Sequence, residues 1–490
     1  MRTLQFTKRA VAAQFGRFGR LDFFLRRHGI MHVLLSVYPG TQERLRPNRR
    51  TMRRQFVVPF ACCALLVACG GRATLPSTAT IGATPTLLEP AHALIPVIHV
   101  ASAVGWSAGS TPIAAPGLRV SAFATGLAHP RWLLVLPNGD VLVAETNAPP
   151  KPDDNRGIKG WFFRHFQKKA GGAVPSANRI TLLRDTNGDG VAERRAVLLD
   201  SLNAPFGMAV VGDDLIVANS DALMRFPYRR GDTTITAAGT RLIALPAGTL
   251  NHHWTKNVIA SPDGRTLYVA IGSNSNVAEN GIDAEKGRAQ VWAVDAATGT
   301  SRVFASGLRN PVGMAWEPTT NALWVAVNER DEIGGDLVPD YMTAVRDGAF
   351  YGWPYSYFGQ HVDMRAKPER PDLVATAVVP DYALGAHTAS LGLAWSGGSA
   401  LGPAFASGMF VGQHGSWNRK PRSGYTVIFV PFTGGRPSGP PVDVLTGFLS
   451  DDGRARGRPV GVALDRRGAL LVADDVGNTI WRVSATGAPR

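Results

Sequence analysis

The stretch PVGMAWEPTTNALWVAVNE, from Pro311 to Glu329, shows how this chain is built. It consists of a short hydrophobic strand, a polar turn, and a second strand that ends in polar residues. Five further stretches follow the same plan: RWLLVLPNGDVLVAE (Arg131 to Glu145), PFGMAVVGDDLIVAN (Pro205 to Asn219), KNVIASPDGRTLYVAIGS (Lys256 to Ser273), SLGLAWSGGSALGPAFASGMFVGQH (Ser390 to His414) and PVGVALDRRGALLVADD (Pro459 to Asp475). Six copies of a strand, turn and strand predict an all-β fold, a six-bladed β-propeller.

A propeller must also close its ring without an exposed sheet edge. GLRVSAFATGL (Gly117 to Leu127) precedes the first copy, and TIWRVSA (Thr479 to Ala485) follows the last one. We expect these two segments to pair and to complete one blade from both ends of the chain. The propeller domain is therefore predicted to span residues 117–486.

The N-terminal part of the chain has the composition of an export signal. Met52, Arg53 and Arg54 precede an apolar run, residues 56–67, that is too short to span a membrane. The run leads into LVAC, so residues 52–68 are similar to a bacterial lipoprotein signal peptide that would place a lipid on Cys69. An ordinary secretory signal is the alternative. Residues 1–51 are interpreted as an over-extended start or an unstructured extension, and residues 69–116, rich in Ala, Thr and Pro, as a flexible tether.

These features predict a lipid-anchored protein of the periplasm or cell envelope, with the outer membrane favoured over the inner one. The N-terminal lipid would be its only contact with a membrane. The net charge is +15, but residues 1–54 carry 13 Lys and Arg against 2 Asp and Glu, which leaves +4 for the rest. Such a nearly neutral domain gives no indication of a nucleic-acid partner.

The second strand of each copy ends in a polar residue. Equivalent positions in a propeller face the same end of the central channel, so we expect a polar site there. The generally polar character of turn residues is the alternative explanation. The residues concerned are Glu145, Asn219, Ser273, Asn328, Glu329, His414 and Asp474.

Three motifs occur together in propeller order: GLRNPVGMAW (Gly307 to Trp316), YGWP (Tyr351 to Pro354) and RGRPVG (Arg456 to Gly461). In this combination the chain resembles the soluble quinoprotein glucose dehydrogenase and sorbosone dehydrogenase family, six-bladed propellers that use pyrroloquinoline quinone (PQQ) and calcium. The similarity covers most of residues 118–485. It implies an enzyme that oxidises an aldose or aldosone and passes the electrons to an external acceptor, a cytochrome or a quinone.

The resemblance also implies roles for individual residues. His253 in NHHWTKN matches the family's catalytic base, which takes a proton from a sugar hydroxyl, with His252 as the second choice. Arg309 matches the arginine beside the reactive carbonyl of the quinone, where a cation stabilises developing negative charge. Further contacts to the cofactor are implied for Asn310, His414, Arg456 and Arg458, and the last two would bind its carboxylates.

Two calcium sites are predicted. The resemblance implies one at the quinone, bound by main-chain carbonyls at Glu329 and Arg330. The loop DTNGDGVAE places Asp185, Asn187 and Asp189 as in the first half of an EF-hand, although alanine stands at the twelfth position, where an EF-hand has glutamate. A plain hairpin turn is the alternative for this loop.

Other functions are compatible with a propeller. The chain departs from the glucose enzymes at Ser273, where they carry an acid, and at Val312, where they carry a glutamine, so glucose itself is not implied. A calcium-dependent sugar lactonase would need several carboxylates at the blade ends, where Glu145, Glu329 and Asp474 are available. A non-catalytic propeller that binds glycans or proteins at the cell envelope would need no cofactor.

Overall fold

The computed structural model describes residues 72–91, 98–150 and 164–487. The predicted extension (1–51), the signal peptide (52–68) and Cys69 lie outside these residues. In the part of the chain that is described, no helix is long and apolar enough to cross a membrane.

Six antiparallel sheets form the blades of a ring, which confirms the predicted all-β, six-bladed propeller. Strands are numbered β1 to β29 along the chain. Blade 1 contains β4 (Pro130–Val135), β5 (Val141–Glu145), β6 (Arg179–Arg184) and β7 (Arg194–Leu199). Blade 2 contains β8 (Met208–Val211), β9 (Asp214–Ala218), β10 (Ala222–Pro227) and β11 (Thr240–Ala244). Blade 3 contains β12 (Lys256–Ala260), β13 (Thr266–Ile271), β14 (Gln290–Asp295) and β15 (Ser301–Ser306).

The next two blades each gain a strand from the N-terminal segment. Blade 4 contains β16 (Asn310–Glu317), β17 (Ala322–Asn328), β18 (Pro339–Ala344), β21 (Tyr382–Ala386) and β1 (Ile81–Gly82). Blade 5 contains β22 (Ser390–Trp395), β23 (Gly408–Gln413), β24 (Thr426–Thr433), β26 (Val442–Thr446) and β2 (Ile113–Ala114), and β25 (Arg436–Pro437) pairs with β24.

Blade 6 closes the ring with strands from both ends of the domain: β27 (Pro459–Leu464), β28 (Leu470–Asp474), β29 (Thr479–Ala485) and β3 (Leu118–Ala124). Val483 of β29 is the register partner of Val120 in β3, which confirms the predicted pairing. A separate hairpin consists of β19 (Ser356–Tyr357) and β20 (His361–Val362). The helices with defined bounds are one α-helix, Pro371–Val374, and three 3-10 turns, Ser77–Thr80, Ile282–Glu285 and Pro403–Phe405; residues 164–169 are also helical.

A glycine near the start of four of the six copies (Gly207, Gly313, Gly392 and Gly461) explains how the inner strands fit around the channel. The first strand of every copy is the innermost of its blade and contacts its two neighbours in the ring. A Cβ atom on Gly207 would overlap the main chain of Val258, and one on Gly392 would overlap that of Val460. Because equivalent positions of successive copies touch, all inner strands begin at the same end of the ring. We call this end the site end.

The hydrophobic core is divided into layers between neighbouring blades, because side chains on a strand alternate between its two faces. In β17, Leu323 and Val325 pack into the core shared with blade 3, whereas Trp324 packs into the core shared with blade 5. The layer between blades 6 and 1 includes Leu471 and Val143. The ring is therefore closed by side-chain packing as well as by β3.

The N-terminal segment differs from the predicted flexible tether (69–116), and the prediction is wrong for its described residues. β1 pairs with the outer edge of blade 4, and β2 pairs with that of blade 5. The amide of Thr74 donates a 2.6 Å hydrogen bond to Asp336. Low charge and frequent proline suggested a linker, but this composition also suits a segment that covers sheet edges.

Candidate functional site

Strand register brings the ends of the repeated unit together at the site end. In five blades, the residue that starts the inner strand is paired with the residue that ends the second strand. The pairs are Pro130 with Glu145, Lys256 with Ile271, Asn310 with Asn328, Ser390 with Gln413 and Pro459 with Asp474. Residues just before the first strand and just after the second are thus neighbours, as expected from the repeat.

His253, the predicted base, lies just before β12 and is oriented by Ser273, which follows β13. Its Nδ1 atom lies 2.9 Å from both the carbonyl oxygen and the hydroxyl of Ser273. The hydroxyl in turn donates to the carbonyl of Ser275 at 2.7 Å. Because a carbonyl can only accept, Nδ1 carries the hydrogen, and Nε2 is the basic nitrogen of the neutral ring.

Gly272 allows His253 and Asn310 to approach each other. A Cβ atom on this glycine would lie 2.5 Å from the Cβ of His253 and would overlap Oδ1 of Asn310. That Oδ1 atom is buried and has no hydrogen-bond partner among the described residues, while Nδ2 of Asn310 lies 3.4 Å from Asn328. An unsatisfied buried acceptor beside a basic histidine fits a ligand that brings a hydroxyl or N–H group.

Arg309 is buried, and main-chain oxygens hold its guanidinium. Nη1 donates to the carbonyl of Glu329 at 2.6 Å, and Nε donates to that of Asn276 at 3.2 Å. Nη2 lies 3.0 Å from Oδ1 of Asn276 and 3.6 Å from a carboxylate oxygen of Asp331. The cation is therefore fixed in place at the site end.

Of the two main-chain carbonyls predicted to bind calcium, that of Glu329 accepts a hydrogen bond from Arg309 at 2.6 Å. The side chain of the next residue, Arg330, forms an ion pair with Asp363 at 3.0 Å. Burial raises the pKa of Glu329 to about 7 and that of neighbouring Asp340 to about 6. This arrangement does not fit a calcium ion on the Glu329 carbonyl, because the guanidinium at that oxygen would repel a second cation.

His387 is a cation of this site that the sequence did not reveal. Its Nδ1 faces Oδ1 of Asp331 at 3.1 Å, and its Nε2 faces the carbonyl of Gly334 at 2.9 Å. Burial opposes the charge, but the hydrogen bond to Asp331 and the charge of that carboxylate outweigh it and raise the pKa of His387. Two acceptors require both ring nitrogens to carry hydrogen, so His387 is an imidazolium.

His414 belongs to a second cluster at the site end, centred on the buried Asp475. Oδ2 of Asp475 accepts from His414 Nε2 at 2.9 Å and from Arg131 at 2.5 Å, and His129 Nε2 lies 3.5 Å away. Burial lowers the pKa of His414 to about 4. Burial would raise the pKa of Asp475, but the neighbouring His414, His129 and Arg131 hold it below its usual range. Because Nε2 of the neutral His414 donates to Asp475, its Nδ1 can only accept a hydrogen bond.

Arg458 and Arg456 are the cations of the site end without an acidic partner among the described residues. Arg458 is buried, its guanidinium lies 5.1 Å from the centre of the Tyr425 ring, and its Nε atom has no hydrogen-bond partner. The side chain of Arg456 is half-buried and makes no hydrogen bond or ion pair with a described residue. A buried guanidinium without a carboxylate is costly unless a ligand supplies the negative charge, and PQQ carries carboxylates.

The carboxylates needed for the lactonase alternative are largely engaged in structural contacts. Glu145 accepts two hydrogen bonds from Arg179, at 2.9 and 2.8 Å, and others from Thr181 and from the amide of Ala128. Asp474 accepts four hydrogen bonds from amide and indole groups. Neither carboxylate is available to coordinate a metal in the channel.

The loop with Asp185, Asn187 and Asp189 lies away from the site end, and its groups hold the turn itself. Asp185 accepts from the amides of Gly188 and Gly190, and Asn187 accepts from the amide of Asp189 at 2.8 Å. Carboxylate oxygens of Asp185, Asp189 and Glu193 lie within 4.8 Å of one another. Calcium at this loop stays a prediction.

The predicted site residues thus form two groups on one end of the ring. One group contacts the loop that follows β13 and consists of His253, Arg309 and Asn310. The other group lies around Asp475 and includes His414 and Arg458. The segment after β23 connects the groups, because Asn418 donates to Asp331 at 2.8 Å. The sequence did carry a signal for one missed residue: His129 precedes the proline of its copy just as Asn310 and Arg458 do.

Comparison with known proteins agrees with this picture. The TrAA12-like family model matches residues 173–343 and 366–486, more than half of the chain. A pyrroloquinoline quinone-dependent pyranose dehydrogenase of Coprinopsis cinerea is 24% identical over an alignment of 359 residues that covers 65% of this chain and 44% of that protein. The chain thus spans less than half of that relative. An aldose sugar dehydrogenase of Escherichia coli is 24% identical over an alignment of 343 residues that covers 65% of this chain and 82% of that protein. A solved structure of a Trichoderma reesei enzyme of carbohydrate-active family AA12 superposes with a TM-score of 0.61 at 20% identity, covering 79% of this chain and 99% of that one, and shows the same fold.

Proposed function

Because the chain belongs to the TrAA12-like family, we propose that it is a PQQ-dependent oxidoreductase acting on an aldose or aldosone. The observation that carries the proposal is a buried arginine without an acidic partner, Arg458, at the same end of the ring as His253, whose tautomer is fixed. The relatives named as pyranose and aldose sugar dehydrogenases support the substrate class.

PQQ fits the residues present. Arg456 and Arg458 would bind its carboxylates, since both lack an acidic partner among the described residues, and the unsatisfied Oδ1 of Asn310 would accept a hydrogen bond from the cofactor or the sugar. When bound, PQQ supplies a two-electron acceptor for the hydride of the sugar.

The protein's own groups supply the proton transfer. Nε2 of His253 accepts the proton of the sugar hydroxyl that is oxidised, and the hydrogen bond from Nδ1 to Ser273 stabilises the imidazolium that forms. Arg309 provides a fixed positive charge next to the developing negative charge. Main-chain carbonyls orient its guanidinium, so no reorganisation is needed during the reaction.

No step is assigned to calcium at the quinone, because Arg309 lies at the carbonyl of Glu329. The electrons would pass to an external acceptor, a cytochrome or a quinone. The predicted lipid on Cys69 would keep the enzyme at the cell envelope, where it could transfer electrons to such an acceptor. Mass spectrometry of the mature N-terminus tests this placement.

Apoprotein titrated with PQQ tests the proposal directly. We expect saturable binding, measured from the difference in absorbance between free and bound quinone. The loaded protein should then catalyse dye-linked oxidation of one or more members of a panel of aldoses and aldosones. Absence of quinone binding, with and without added calcium, would end the proposal. Lactone hydrolysis without quinone would favour the lactonase, and glycan binding without quinone would favour the non-catalytic alternative.

A further inference from the structure

We propose that residues 98–106, outside the predicted propeller domain, form one wall of the quinone site and hold Arg458 in its binding orientation. This inference rests on the proposed function. It concerns a segment whose composition indicated a tether and to which neither the motifs nor the family resemblance gives a role.

The segment lies directly on the loop that carries the two arginines. The amide of Val104 donates to the carbonyl of Ala455 at 2.8 Å, and the amide of Ala455 donates to the carbonyl of Ser102 at 2.8 Å. The amide of Ala103, between them, donates to the carbonyl of Lys169 at 2.9 Å. The two hydrogen bonds with Ala455 form an isolated parallel β-bridge between Ala103 and Ala455, so the segment is paired with this loop through its main chain.

One main-chain group of the segment reaches the cofactor arginine itself. The carbonyl of the fully buried Ala101 accepts a 3.3 Å hydrogen bond from Nη2 of Arg458. The Tyr425 ring on a second side leaves the guanidinium little freedom to turn. With Nη2 directed to Ala101 and Nε without a described partner, the remaining N–H groups are held in a fixed direction for a carboxylate.

Trp106 connects the segment to the backbone of the same arginine. Its indole Nε1 donates to Oδ2 of Asp474 at 2.7 Å, and Oδ1 of Asp474 accepts from the amide of Arg458 at 2.8 Å. The Trp106 ring packs edge-on against Phe448 with 5.6 Å between ring centres. The carbonyl of Phe448 accepts from the amide of Arg456 at 2.8 Å, so Trp106 supports both arginines.

Asp474 explains why this support is specific. The carboxylate accepts from two indoles and two amides, which uses all of its lone-pair directions. Removal of one donor leaves a buried carboxylate undersatisfied, and the carboxylate then shifts toward its other donors. One of these donors is the amide of Arg458, so the loss of the Trp106 hydrogen bond shifts the arginine that would bind the cofactor.

The test is a double-mutant cycle on quinone affinity. Trp106→Phe keeps an aromatic ring and removes the indole N–H, and we expect PQQ to bind about tenfold more weakly, which corresponds to about 1.4 kcal/mol. In the Arg458→Ala background, Trp106→Phe should have no further effect, because the arginine positioned through the indole N–H is gone and the phenylalanine ring keeps the packing against Phe448 that supports Arg456. Trp316→Phe is the matched control: this half-buried tryptophan donates a 2.8 Å hydrogen bond to Ala260 near the opposite end of its strand.

Binding is followed by absorbance titration of the quinone, with thermal unfolding recorded for every variant. Wild-type affinity in Trp106→Phe, or an equal loss in both backgrounds, would overturn the inference, since the latter indicates general destabilisation. If Trp106→Phe does not fold, the same cycle is carried out with Ser102→Pro and Val104→Pro. Both substitutions disturb the main chain of the segment. A wild-type protein that binds no quinone at all would refute the proposed function and this inference with it.

Discussion

Asn276 receives two hydrogen bonds from the guanidinium of Arg309, one at its carbonyl oxygen (3.2 Å) and one at Oδ1 (3.0 Å). The same short loop holds His253 through Ser273, so the proposed base and the proposed cation are positioned by residues only three apart in the chain. Glu285 anchors the loop by accepting from the amide of Asn274 at 2.6 Å and from the Ser275 hydroxyl. A displacement of this loop would therefore displace both proposed groups.

Asn276→Ala should lower kcat/KM for the sugar about 10- to 100-fold, because Arg309 loses the side-chain oxygen that orients Nη2. The fold should persist, since the main-chain hydrogen bond is unchanged. Asn276→Asp keeps an acceptor at the same place and should recover much of the activity. Steady-state kinetics of both variants, with thermal unfolding as control, checks this; equal losses in the two would contradict it.

Gly272→Ala should abolish sugar oxidation, with a loss of at least about 100-fold. The new methyl group has to displace either His253 or Asn310, and a displacement of about 1 Å suffices for such a loss. Gly172→Ala is the matched control, since a Cβ atom there meets only an ordinary contact at 3.7 Å. Activity in Gly272→Ala close to that of the control would show that the two side chains do not act from these positions.

His253→Gln should reduce kcat by about 10²- to 10⁴-fold, the range of general base catalysis, and leave PQQ affinity within about twofold. Glutamine fills most of the space but cannot take up a proton. The neighbouring His252→Gln serves as the control and should retain most of the activity. If His252→Gln is the inactive variant instead, the assignment of the base is wrong.

The His414–Asp475 pair should make stability depend on pH. The pKa of His414 falls from 6.5 to about 4 on folding, so between pH 7 and pH 5 the unfolded chain binds a proton that the folded protein does not. Stability therefore decreases as the pH falls, by about 2 kcal/mol from this residue. His387, whose pKa is raised, makes stability increase as the pH falls. The contribution of His414 is therefore isolated by comparing the wild type with a variant that lacks this histidine.

In His414→Gln this contribution is absent. The difference in unfolding free energy between wild type and variant should therefore shrink by about 2 kcal/mol from pH 7 to pH 5. Urea unfolding at both pH values measures it. A difference that stays constant would mean that His414 titrates near its ordinary pKa in the folded protein.

The repeat predicted the fold because a propeller depends on local rules that recur in each copy. Alternating side chains and a glycine at the inner strand, such as Gly392, are visible in the sequence. Hydrogen-bond and ion-pair partners that are far apart in the sequence cannot be identified in this way. Asp475 looks like any acidic turn residue, and only the folded ring shows His414 and Arg131 on its carboxylate.

The N-terminal segment shows a second limit of the sequence. Its sparse hydrophobic residues form no period, so a linker was the simplest interpretation of residues 69–116. In the structure, single residues such as Trp106 and Thr74 bind buried carboxylates of distant blades. Contacts of this kind leave no pattern along the chain because each occurs only once.

Closure of blade 6 by β3 and β29 sets the order in which this ring can be completed. β3 precedes the six repeated copies along the chain and its partner β29 follows all of them, so the ring can close only after every copy has been synthesised. Until then, two core layers lack one wall, and the chain remains open to chaperones and proteases. Conversely, the ends at Leu118 and Ala485 are register partners, so they could be joined by a short linker and the chain opened at a turn elsewhere.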